Sequence, residues 1–220
     1  MSSVLQEFGN AIQKLPIRIG SINPGQQEFL HHFLRLHTNI KNILETGFHV
    51  GLSAATMMDI RDDILVTSFD IFWFDYTRKA KLLLDIFYPG RNSLIAGNSV
   101  NTLPTFFKQF PSYQPDLVFI DGGHEHPVPY IDIYYILGHV QPGTWVIIDD
   151  YCTEHGSQGV ISAVNSFVDS KVIEDYIIYT SQDRGWLVGK RSSEPLPPPT
   201  VDMSPDAILK LLQDTESHYA

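Results

Sequence analysis

Three aspartates, Asp121, Asp149 and Asp150, stand just past two short apolar runs, and together they offer the chemistry of crowded carboxylates. The runs DLVFI (116–120) and WVII (145–148) read as buried strands. Neighbouring parallel strands lie about 4.8 Å apart, so their ends would bring the three acids together. Carboxylates that close must raise a pKa, find bases or bind a cation at neutral pH. Neither loop carries an arginine or lysine, and an oxygen-only set suits a hard ion such as magnesium, calcium or manganese. Successive residues on a strand face opposite sides. Asp149 and Asp150 therefore converge on one ion only if the strand ends between them. The plainer alternative, in which one acid caps a helix and another accepts a backbone amide, stays open. His124 and His126 share the first loop, and a histidine beside carboxylates is a candidate general base. No H-x-x-x-H or cysteine spacing supports zinc.

Other chemistry-bearing residues stand at the ends of earlier runs. The stretch ILETGFHVGLS (43–53) reads as a buried strand breaking into a glycine turn that opens a helix. Gly47 permits a turn or a close ligand approach that a β-carbon would obstruct. Gly51 lets the first helical turn pack closely, and Ser53 places a hydroxyl near the unpaired amides of the helix start. This is not the dinucleotide pattern GxGxxG, because three residues separate the glycines and Glu45 precedes the first. Asp70 follows the run ILVTSF, 23 residues after Gly47. There a carboxylate can accept both hydroxyls of a ribose, or simply cap a helix. Gly97, Asn98 and Ser99 follow the third strand, where Asn98 and Ser99 could bond an adenine edge or serve as turn residues. Phe48, Phe72, Trp73 and Tyr151 could line an apolar pocket for a cation.

These residues need a parallel sheet to position them. Helices are expected from the start through Lys14, from Asn23-Pro24 through Leu36, and over 52–61, 76–87, 100–110, 128–140 and 159–168. Phe29, Leu30, Phe33, Leu34 and Leu36 form the apolar face of the second. Strands are expected at 43 onward, 64–69, 94–96, 116–120 and 145–148, then a hairpin over 172–180 and 184–190. Strand-helix alternation closing in a hairpin implies an α/β fold, with a doubly wound, mostly parallel seven-stranded sheet and an antiparallel C-terminal hairpin. Its binding crevice would lie beyond the carboxyl ends of the strands, where the polar residues collect. The expected organisation is one domain over 1–191, with N-terminal helices to 40 and the core from 41. A proline-rich linker follows over 192–203, then a terminal helix over 204–220. Ile208, Leu211 and Leu212 lie on one side of that helix and need cover, from the domain or from a partner subunit, so a homo-oligomer is an expectation. The opening helix is either a lid over the site or a packing arm.

The 220 residues are 43% hydrophobic and 12% aromatic, a composition that builds a proper core. With 25 acids against 15 bases the net charge is -10, which disfavours a nucleic-acid partner. Apolar runs fall short of a membrane span, no signal-peptide pattern opens the chain, and Cys152 has no internal partner for a disulfide. A cytosolic location is the expectation.

The run IDGGHEHPVPYIDIYYILGHVQPGTWVIIDDY (120–151) resembles the DG-x-H-x-Y, D, L-x-PGG, DD pattern of a class I S-adenosylmethionine-dependent methyltransferase family. That family includes macrocin-type sugar O-methyltransferases, and has relatives among catechol and caffeoyl-coenzyme A O-methyltransferases. ILETGFHVGLS resembles its first motif, and the likeness covers roughly residues 24–190. It implies S-adenosylmethionine bound by Glu45, Gly47, Phe48, Gly51, Ser53, Asp70, Gly97, Asn98, Ser99 and Asp121. It also implies magnesium or another divalent ion on Asp121, Asp149 and Asp150, with His124 and Asp121 catalytic. The acceptor would be a small-molecule hydroxyl on a sugar, glycan or catechol-like compound. Two departures stand out. His126 replaces the usual tyrosine, which bears on the acceptor pocket, and Gly143-Thr144 replaces Gly-Gly in a turn. Two other classes compete. A metal-dependent hydroxylase of a related branch would need iron and oxygen for turnover, and a non-catalytic binding subunit would bind no cofactor.

Overall fold

The computed structural model of the chain describes residues 2–17, 20–151 and 156–219; Cys152 lies outside them. The expected alternation is present as β1 (Asn42–Thr46), α3 (Leu52–Met58), β2 (Leu65–Asp70), α4 (Asp75–Phe87), β3 (Asn92–Ala96), α5 (Ser99–Gln109), β4 (Leu117–Ile120), α6 (Val128–His139), β5 (Trp145–Ile148) and α7 (Gln158–Asp169). Two helices, α1 (Ser3–Ile12) and α2 (Pro24–Leu36), precede them, and the hairpin β6 (Ile173–Ser181) and β7 (Arg184–Arg191) and helix α8 (Pro205–Tyr219) follow. The sheet order is β3-β2-β1-β4-β5-β7-β6, parallel from β3 to β5. The hairpin closes one edge, β7 running antiparallel to both β5 and β6.

Alternation along each buried strand sends one set of side chains to each face of the sheet. On one face Ile43, Val66, Phe119, Ile147 and Trp186 pack with α1 to α4. On the other, Leu44, Phe69, Val118, Ile148 and Leu187 pack with α5 to α7. The register pairs Thr46 with Phe69 on one side and with Ile120 on the other, and Ile120 with Ile148. Gly47, Asp70, Asp121 and Asp149 thus leave the sheet at one rim. The helix starts follow local rules: Asn23 caps α2 in a box with Gln26, with Pro24 in its first turn.

The structure decides one open alternative, corrects one expectation and adds to a third. The opening helix is a packing arm, because α1 buries Leu5, Phe8 and Ile12 against α3 and α4. Leu36 does not join the apolar face of α2 and is 66% exposed, since it is the last residue of the helix, before the chain turns toward β1. The segment 192–203 has no regular element but is anchored. Arg191 donates to the carbonyls of Leu137, Ser192 and Glu194, Tyr130 Oη accepts from Thr200 N–H at 3.0 Å, and Leu196 and Val201 pack on the α6 side of the core. Among the described residues, no helix is long and apolar enough to cross a membrane.

Candidate active site

A cleft of about 1090 Å3 opens at the polar rim of the sheet. Of the residues singled out in the sequence, Gly47, Asp70, Trp73, Gly97, Asn98, Ser99, Asp121, His124 and His126 line it. Its first wall is the turn after β1. Gly47 holds φ +86°, and a β-carbon there would sit 1.7 Å from the carbonyl oxygen of Asp121. The neighbouring strand end therefore excludes a side chain at this position, ligand or no ligand. His49, also in the left-handed region, donates its backbone N–H to Asp70 Oδ2 at 2.7 Å, and Phe72 N–H donates to Asp70 Oδ1 at 2.7 Å. Asp70 is thus fixed at the end of β2 and still borders the cleft. Asn98 caps α5, accepting from Val100 N–H.

Glu45, Ser53, Phe48 and Gly51 lie beneath the cleft and do not line it. Glu45 is fully buried, and its two oxygens accept from the hydroxyls of Ser53 and Ser68. Burial raises its pKa to about 7 against the pull of those bonds. The Ser53 hydroxyl is therefore spent on Glu45, tying α3 to β1 and β2. Phe48 is buried, and its ring occupies the space that a side chain on Gly51 would need. Trp73 lines the cleft. Phe72 stacks under Arg78, and the Tyr151 hydroxyl donates to Asn165.

The two acids after β5 part from one another. β5 ends at Ile148, and Asp150 then adopts φ +57°, so consecutive carboxylates turn to different partners. Asp149 is buried beside Gln26 Nε2 at 3.2 Å and Arg184 Nη1 at 3.3 Å. Arg184 comes from β7, and it supplies the base that neither loop contains. Burial and the charge of Asp150 raise the Asp149 pKa to about 6. Asp150 approaches His124 Nε2 at 2.8 Å. Burial acts upward on Asp150, but the bond to His124 and its charge outweigh it and hold the carboxyl below its ordinary value. That bond also raises the His124 pKa. Burial, then Asp149 and Asp150, raise the pKa of Asp121. Asp121, His124 and Asp150 each offer a ligand atom, all within 4.8 Å of one another. Among the described residues, the cluster that could hold a metal therefore contains His124 in place of Asp149.

Sequence reasoning missed Arg184, His49, Phe74 and the two residues that α8 sends to the cleft, Leu211 and Asp214. The double glycine in IDGGHEH was a signal for Gly122 and Gly123. Nothing local marks Arg184, since its neighbours are fixed by strand pairing.

Residues 44–151, a little under half of the chain, match the Methyltransf_24 family, described as a methyltransferase domain. Over that span the chain is similar to this methyltransferase domain, and its seven-stranded sheet has the Rossmann-like methyltransferase architecture. The whole fold is similar to an O-methyltransferase from Bacillus cereus solved with S-adenosylhomocysteine, at 15% identity and TM-score 0.72, covering 87% of this chain and 92% of that one. It is also similar to the O-methyltransferase TomG from Streptomyces achromogenes, involved in tomaymycin synthesis and solved with S-adenosylmethionine, at 19% identity and TM-score 0.68, covering 88% and 91%. A third is the methyltransferase PaMTH1 from Podospora anserina with S-adenosylhomocysteine, at 16% identity and TM-score 0.68, covering 87% and 89%. At these identities the likeness is one of fold. No curated protein matches the chain significantly.

Proposed function

We propose that the protein transfers the methyl group of S-adenosylmethionine to a hydroxyl of a small molecule, a sugar or a catechol-like compound. The observation that carries this reading is the single cleft in which Asp70, Asn98 and Ser99 stand beside Asp121 and His124. Asp70 would accept the ribose hydroxyls, and Asn98 and Ser99 would meet the adenine edge. The methyl carbon leaves the sulfonium sulfur for the acceptor oxygen, and the acceptor proton passes to a base, leaving S-adenosylhomocysteine. His124, with Asp150 against its ring, is the base in this reading.

The donor set also fits a divalent ion, because one imidazole and two carboxylates offer ligand atoms within 4.8 Å of one another. Asp121, His124 and Asp150 would hold it. A bound ion would lower the pKa of the acceptor hydroxyl, and His124 would then be a ligand and no longer the base. Among the described residues the set has one histidine and two carboxylates, where oxygen-activating iron enzymes use two histidines and one carboxylate.

Calorimetry with S-adenosylmethionine, with and without magnesium, followed by labelled-methyl transfer to a panel of sugars and catechols, tests the reading. Binding and transfer are expected. A folded protein that binds neither S-adenosylmethionine nor S-adenosylhomocysteine would overturn it in favour of a non-catalytic subunit.

A further inference from the structure

The anchored segment after β7 runs along α6 and delivers α8 to the cleft. Ser204 starts that helix, its hydroxyl accepting from Ala207 N–H at 3.3 Å. Leu211 and Asp214, three residues apart and so on one face, line the cleft that Asp70 and Asp121 also line. Ile208, Leu211 and Leu212 are half-buried, whereas Leu209, turned away, is 55% exposed. Among the described residues α8 makes at most sparse contact with any other single helix or strand. Its apolar face stays only partly covered. A molecule in the cleft would supply the missing cover, and burying a leucine side chain more fully favours the closed arrangement.

We propose that α8 is the outer wall of the ligand site and closes on the bound methyl donor, with Leu211 and Asp214 contacting it. The proposal rests on the methyl-donor reading of the cleft. It places residues far along the chain in a pocket otherwise built from strand ends, and assigns the apolar face of α8 to a ligand and not to a second copy.

Hydrogen exchange of the full-length protein, read by mass spectrometry with and without S-adenosylhomocysteine, tests it. The expected result is exchange slowed several-fold over 205–214 together with the turns after β1 and β2. Slowing at those turns with α8 unchanged would overturn this proposal alone. No slowing anywhere, with no heat of binding, would overturn it together with the methyl-donor reading. Protection of α8 that grows with protein concentration in the absence of S-adenosylhomocysteine would assign the face to a second copy and also overturn it. In the full chain, Leu211→Asp should weaken S-adenosylhomocysteine binding about tenfold or more, a lost apolar contact. Leu209→Asp should leave it unchanged, and equal effects of the two would count against a directed wall.

Discussion

Asp132, on α6, is 1% exposed, and burial raises its pKa to about 7 from an ordinary carboxylate value near 3.8. A carboxyl whose pKa rises on folding favours the folded state at acid pH, and that contribution fades as pH climbs from the unfolded pKa toward the folded one. The loss therefore falls between about pH 4 and 7, and at pH 8 the folded protein holds a buried charge. Asp132→Asn should raise the unfolding free energy at pH 8 relative to pH 5 by on the order of 2 kcal/mol, measured by urea denaturation at both. Equal effects at the two pH values would show that the carboxyl is not charged in the fold. Asp70 is held by two backbone amides at the border of the cleft. Asp70→Ala should weaken S-adenosylhomocysteine binding by about 1.5–3 kcal/mol, the range for bonds to a charged group. Unchanged affinity in a folded variant would remove Asp70 from the ribose site.

Among the elements, the turn between β1 and α3 and the end of β5 shape the site most. Gly47 carries φ +86° with the Asp121 carbonyl where a β-carbon would go. Gly47→Ala should destabilise the fold by about 1–3 kcal/mol from backbone strain alone, with the clash adding to it. A thermal melt matching the native protein would refute that account. The end of β5 decides the fate of the acids. Because Asp150 turns at φ +57° directly after Asp149, one carboxylate goes inward to Arg184 and Gln26 and the other goes to His124. If Asp121, His124 and Asp150 hold a functional ion, chelator should abolish methyl transfer while S-adenosylhomocysteine still binds, and magnesium should restore it. Full turnover in chelator would return His124 to the role of base.

Across the whole molecule, the N-terminal helices belong to the core. Phe8 is fully buried, edge-on to Phe87 and Tyr88 of the α4 region. Phe8→Ala should cost about 3–5 kcal/mol of unfolding free energy, yet leave cofactor affinity unchanged, because α1 lines none of the cleft. A loss of affinity without a loss of stability would make α1 the lid that it does not resemble. The opposite end of the chain, through 192–203 and α8, reaches the cleft instead.

The sequence by itself determined the order of strands and helices, the antiparallel hairpin and the rim where Gly47, Asp70, Asn98 and Asp121 collect. Each follows from local periodicity and from the rule that parallel strands end on one side. Only the tertiary structure decided which polar groups face the cleft. Glu45 turns beneath it because Ser53 and Ser68 wait there. Arg184 meets Asp149 because β7 inserts between β5 and β6, a pairing between residues 35 apart. Leu211 and Asp214 reach the cleft only because an irregular strap is pinned by Arg191 and Tyr130. Contacts of that kind depend on where distant segments come to rest, and no local pattern encodes them.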